Sequence, residues 1–144
     1  MINKELVQRK ITLIQEDLAN FSSFAQYSFD EIAKDYIKQA ATERFLERVV
    51  NRAIDINQHL IAELATEKTS VPLTYTDTFL RLVDFAIYPK NFASEISKSA
   101  GTRNKLTHEY NTTDPDKIYS SIGDCLRDYH QYCDYILKFL ENVN

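Results

Sequence analysis

Late in the chain, the stretch SKSAGTRNKLTHEYNTTD sets Arg103, Asn104, Lys105, His108, Glu109 and Tyr110 within eight positions. These side chains have complementary uses. An imidazole titrates near neutral pH and can take or give a proton. A guanidinium is a planar, permanently charged fork that can hold two oxygens of a phosphate. Proton transfer beside a held phosphate is therefore the chemistry such a set would perform. Residue types alone do not decide it, because an arginine near a histidine is also common on a solvated helix face. The spacing adds a constraint. On an ideal helix five residues turn about 500°, so positions 103 and 108 lie roughly 140° apart. Asn104 and His108, four apart, share a face. Arg103 cannot join His108 from the middle of a regular helix. Two arrangements bring them together. In one, Gly101-Thr102 marks a frayed helix start from which Arg103 reaches over the turn. In the other, arginine and histidine from two chains line one cleft.

The run of Arg103, four residues, His108, one residue and Tyr110 resembles the signature of the HepT toxins, a branch of the HEPN superfamily. Asn104 fits the polar position that follows the arginine there. The upstream TYTDTFLRLVDFAIYPKNFASEISKSAG resembles the helix and short connector leading into that motif. The resemblance is carried by Thr74 to Leu140 and extends over most of the chain. It implies an all-α fold, a HEPN-like antiparallel helical bundle. It also implies a metal-independent endoribonuclease acting as the toxin of a toxin–antitoxin pair, on tRNA or mRNA. Arg103 and His108 would be catalytic, with Asn104 in support. A homodimer would bring two motifs face to face, and no cofactor is expected. The implied partner is an MntA-like nucleotidyltransferase antitoxin that attaches AMP to Tyr110.

The chemistry agrees with these roles. Without a metal, RNA is cut by attack of the ribose 2′-OH on the adjacent phosphate, leaving a 2′,3′-cyclic phosphate. DNA lacks that hydroxyl and is not an expected substrate. His108 suits the general base, and Arg103 the charge that grows on the phosphorane. Asn104 would orient the histidine or hydrogen-bond the phosphate. Tyr110 is a poor proton donor at neutral pH, since its ordinary pKa is near 10. An AMP group there would add bulk and negative charge beside the cleft and repel RNA. The alternative reading is a non-catalytic, nucleotide-binding helical partner of a nucleotidyltransferase. A plainer one is a structural helical dimer.

The totals restrict the field. The 144 residues suit one domain spanning 1–144, and 44% hydrophobic residues suffice for a core. Only 2 Gly and 3 Pro argue against turn-rich β architectures. A net charge of −4 excludes a generic basic nucleic-acid coat. RNA contact must be local, or completed by a second subunit. Cys125 and Cys133 are about 12 Å apart along one helix, too far for a disulfide, and read as buried thiols of a cytoplasmic protein. The opening MINKELVQRKITLIQEDL shows no signal peptide, and no run is long and apolar enough for a membrane span.

Four or five main helices, with a short one before the last, must position the motif. Ile2, Leu6, Ile11, Ile14, Leu18 and Phe21 mark the first. Ser28 is placed to cap a second pattern, from Phe29 to Leu64, which is either one helix or two with a restart at Thr42. Residues 66–74 read as a loop. Thr76 is expected to cap a helix that stops near Pro89. Asn91 to Ala100 reads as a short helix with Gly101 at its C-cap. Asp114-Pro115 announces the last helix, with Ile118, Ile122, Leu126, Tyr129, Cys133, Ile136 and Leu140 on one stripe.

Other groupings read as structural. Arg44, Arg48 and Arg52 share a face that could guide an RNA backbone, but Glu43 and Glu47 beside them favour a salt-bridged surface. Cys125, His130 and Cys133 match no standard zinc spacing. Asp124 and Asp128 are expected in solvent, and His59 is expected to be structural or exposed. Tyr119, Tyr129, Tyr132, Tyr135 and Phe139 could stack bases, but their helical period favours core and dimer seam.

Overall fold

The computed structural model describes residues 1–108 and 115–143, and within them the side chains of all but 104–108, 115, 117, 118 and 121. Helix α1 (Lys4–Phe21) begins where the Asn3 side chain accepts from the Leu6 N–H, and it buries Val7, Ile11, Ile14, Leu18 and Phe21. That alternation of four- and three-residue steps is one helix face. A 3₁₀ turn (Ser22–Gln26) leads to α2 (Phe29–Ala33), capped by Ser28 as its residue type predicts.

The Phe29–Leu64 pattern is two helices, and the restart is at Asp35 rather than Thr42. Asp35 Oδ1 accepts from the N–H groups of Ile37 (2.9 Å) and Lys38 (3.2 Å), opening α3 (Tyr36–Leu64). A carboxylate satisfies these otherwise orphaned donors. Thr42 instead lies buried inside α3, its hydroxyl donating to the Lys38 carbonyl at 2.9 Å.

Helix α4 (Tyr75–Arg81) is capped by Thr74, not Thr76. A reciprocal cap needs an acidic or amide side chain three residues on. Thr74 has Asp77 there, and the two exchange backbone bonds at 3.2 and 3.3 Å, whereas Thr76 has Phe79. The helix tightens into a 3₁₀ turn (Leu82–Phe85) and stops at Ala86, which is left-handed (φ 57°). Helix α5 (Lys90–His108) then runs unbroken through Gly101, which has no positive φ. The expected C-cap at Gly101 is therefore absent. Buried Ala93, Ile96 and Ala100 tie this helix to the core, and that packing outweighs the roughly 1 kcal/mol cost of an interior glycine. Helix α6 (Pro115–Glu141) starts at the expected proline. It buries Ile122, Cys125, Tyr129, Tyr132, Cys133, Ile136 and Leu140. Burial pushes both thiols up, that of Cys133 to about 12, so they are inert core groups as expected.

Cross-helix contacts fix the directions. Along α1 and α3 the partners run oppositely: Lys10 meets Asp55 at 3.2 Å, and Asp17 meets Arg48 at 3.3 Å. Helix α6 runs alongside α3, with Leu46 near Cys125 and the Tyr132 hydroxyl 3.2 Å from the Ala53 carbonyl. Helix α5 runs against α6: Ser99 meets Tyr129 at 2.6 Å, and the Phe92 and Tyr135 rings lie 4.9 Å apart. The result is an antiparallel all-α bundle with one buried cluster and, among the described residues, no strand. A polar chain crosses that core. Tyr132 donates to Asn57 Oδ1 (2.6 Å), Asn57 donates to Thr78 Oγ1 (3.2 Å), and Thr78 donates to the Tyr75 carbonyl (2.7 Å). It locks the start of α4 against α3, and so decides where Tyr75 stands.

Candidate active site

Arg103 sits half-buried on α5, where α3 and the start of α4 come closest to it. Its Nε donates to Asn51 Oδ1 of α3 at 2.8 Å. Its guanidinium carbon lies 5.4 Å from the centre of the Tyr75 ring. A cation at that distance is drawn to the ring face. Neither Asn51 nor Tyr75 was singled out from the sequence. Tyr75 follows a cap that the TYTDTF segment does encode, but nothing near Asn51 marks it.

Asn104 and His108 occupy helical positions on α5, but their side chains lie outside the described residues, and Tyr110 lies wholly outside them. Because α5 is continuous, positions 103 and 108 are about 140° apart and roughly 7.5 Å apart along the axis. The frayed start at Gly101-Thr102 is thus corrected.

Beside Arg103, a narrow groove of about 80 Å³ runs between α3, α5 and α6. Leu46 and Val50 form its apolar wall, and Ser99, Thr102 and Tyr129 its polar one. Its rim carries both signs. Arg127 reaches Asp128 at 3.2 Å, Asp124 at 3.3 Å and Glu95 at 3.6 Å. Asp128 is buried, not solvated as expected, and burial raises its pKa against the pull of Arg127. Asp124 is exposed.

The remaining groupings follow the structural readings. Arg48 and Arg52 both pair with buried Asp17 of α1, and Arg52 also donates to the Leu13 carbonyl at 3.2 Å. Arg44 pairs with Glu47 at 3.5 Å. The face is salt-bridged as expected, although its main acid comes from another helix. His59 Nε2 accepts from the Asn3 N–H at 3.0 Å, and His130 is exposed. Tyr129 and Tyr132 are core, while Tyr119 packs edge-on to Phe29 at 5.9 Å. Among the described residues no three His, Cys, Asp or Glu side chains group as a metal set, and no helix is long and apolar enough to cross a membrane.

A family model described as ribonuclease HepT-like matches residues 14–136, which takes in Asn51, Tyr75 and the whole Arg103–Tyr110 motif. The chain belongs to the HepT-like ribonuclease family. The tRNA nuclease HepT of Aphanizomenon flos-aquae (strain 2012/KM1/D3) is 30% identical over 139 residues, covering 96% of this chain and 92% of that protein. Two solved structures share the fold. The cytosolic protein YutE of Bacillus subtilis, of unknown function, superposes with a TM-score of 0.82 at 19% identity, over 97% of this chain and 92% of that one. A tri-AMPylated HEPN toxin of Shewanella oneidensis, in complex with an MNT antitoxin, superposes with a TM-score of 0.79 at 20% identity, over 92% and 97%. This HepT-like chain thus has the helical bundle that the motif's resemblance implied.

Proposed function

We infer that this chain is a metal-independent endoribonuclease, the toxin of a toxin–antitoxin pair, working as a cytoplasmic single-domain protein on tRNA or mRNA. The observation that carries the reading is the Arg103 guanidinium, held by Asn51 and Tyr75 at the motif position of a HepT-like ribonuclease chain. His108 takes the proton of the ribose 2′-OH as that oxygen attacks phosphorus. The 5′-oxygen leaves and is protonated, and a 2′,3′-cyclic phosphate remains. Arg103 holds the phosphoryl oxygens as their charge grows. Asn104 supports the histidine or the phosphate.

The unbroken α5 favours a homodimeric cleft, because one chain sets positions 103 and 108 on diverging faces. Pairing two subunits also doubles the local positive charge that an acidic chain of net charge −4 needs to hold RNA. AMP transfer to Tyr110 by an MntA-like nucleotidyltransferase antitoxin is the proposed off switch. A relative of the same fold is AMPylated in its complex with an MNT antitoxin, which supports that partner class.

The test is incubation of the purified protein with total tRNA in EDTA. Fragments ending in 2′,3′-cyclic phosphate are expected, and His108→Ala and Arg103→Ala each lower their yield by on the order of 10²-fold or more while the dimer stays folded. Cleavage near the wild-type rate in either variant removes that residue from catalysis. No cleavage by the wild type returns the chain to the non-catalytic partner reading.

A further inference from the structure

We propose that Asn51 and Tyr75 together form a seat that fixes the plane of the Arg103 fork, which makes Asn51 a positioning residue for phosphate capture. The proposal rests on the reading of Arg103 as the phosphate-holding group. An arginine side chain ranges over many rotamers, and a fork aimed before the reaction begins avoids losing that freedom in the transition state. Two contacts from two elements do the aiming. The amide oxygen of Asn51, on α3, takes the Nε–H at 2.8 Å. Nε is the inner corner of the guanidinium, so a bond there sets the plane as well as the position. The ring of Tyr75, at the first turn of α4, lies 5.4 Å from the guanidinium carbon and supports the cation.

Both supports are themselves held. Tyr75 follows the Thr74–Asp77 reciprocal cap, and its carbonyl ends the polar chain from Tyr132 through Asn57 and Thr78. Asn51 lies one turn before Asp55 and within the stretch of α3 whose neighbours Val49, Val50 and Ala53 are core. The choice of an amide matters. A carboxylate at 51 would accept the same bond but cancel charge that the phosphate needs, as Asp17 does for Arg48 and Arg52.

Steady-state cleavage of tRNA, combined with NMR of the Arg103 Nε–H signal, tests the seat. The signal is assigned by its loss in Arg103→Lys. In the wild type it is protected from exchange, and in Asn51→Ala the protection is lost. Asn51→Ala lowers kcat roughly tenfold to a hundredfold, the scale of a catalytic group displaced by about an ångström, with KM and melting midpoint little changed. In an Arg103→Lys background, which has no Nε–H to hold, the same change costs nothing further. Asn51→Asp keeps the protected signal yet raises KM. Tyr75→Phe, which keeps the ring, loses several-fold less cleavage than Tyr75→Leu. An active wild type with an unimpaired Asn51→Ala, or losses that multiply in the double variant, overturns the seat and leaves the ribonuclease reading standing. A wild type that cuts no RNA overturns the ribonuclease reading instead. The exchange of the Nε–H then decides by itself whether Asn51 holds the fork.

Discussion

Arg48 and Arg52 on α3 meet the buried carboxylate of Asp17, whereas Arg103 on α5 meets the amide of Asn51 and the ring of Tyr75. The first corner fastens α1 to α3 by matching charge with charge inside the bundle. Its worth is register, and its cations are spent on the fold. In the second corner, the Asn51 and Tyr75 contacts set where a cation stands without cancelling its charge. A bundle can thus use one side-chain type for two ends, and the chemistry of the group that receives it separates them. The three-arginine stripe on α3 looks more basic in the sequence than the motif does, yet Asp17, which binds two of its members, makes it the structural corner.

Crossing two substitutions breaks or sharpens this contrast most directly. Arg103→Ala is expected to lower cleavage by on the order of 10²–10³-fold, the loss typical of a donor to developing charge, with a melting midpoint close to wild type. Asp17→Ala is expected to cost about 3 kcal/mol in denaturant unfolding, the low end for breaking a buried pair because Arg48 is half-exposed. Cleavage per folded Asp17→Ala molecule stays near wild type. Equal losses of cleavage in both variants would erase the division between the corners.

Tyr132→Phe probes what holds the second corner in place. It leaves the buried Asn57 oxygen without its donor and should cost about 1–3 kcal/mol. Because the chain through Asn57 and Thr78 ends at the Tyr75 carbonyl, a several-fold fall in cleavage should accompany that cost. Unchanged cleavage would mean that α4 holds its place without this chain.

The smallest effect is expected at Asp128, on the groove beside Arg103. Burial raises its pKa, so the folded state favours the protonated carboxyl. Stability from this group is therefore present below the ordinary value of 3.8 and falls as pH climbs through the raised value, staying lower above it. Asp128→Asn should flatten that slope and raise stability at neutral pH, by less than about 1 kcal/mol given the nearby Arg127 and solvent screening. Thermal melts at pH 4 and pH 7 measure it, and a lower midpoint at pH 7 would assign the Arg127 contact more weight than the burial.

The features legible along the chain were those made by near neighbours. Helix faces on α1 and α6, the Ser28 cap, the proline start of α6, the inert cysteines and the spacing of Arg103, His108 and Tyr110 all depend on residues within a few turns. Gly101 misled because its local preference for ending a helix is small beside the packing of Ala93, Ile96 and Ala100. Thr42 and Thr76 misled because Asp35, and Thr74 with Asp77 three residues on, made better caps.

The sequence by itself determined an all-α chain with a cationic and titratable motif before its last helix, since periodicity and motif spacing are properties of one strand of residues. Only the tertiary structure decided that Asn51 and Tyr75 meet Arg103, that Asp17 takes Arg48 and Arg52, and that Asp128 is buried. Those pairings follow from the register of helices packed against each other. Register is the sum of many small contacts along whole faces, and no single stretch of the chain contains it.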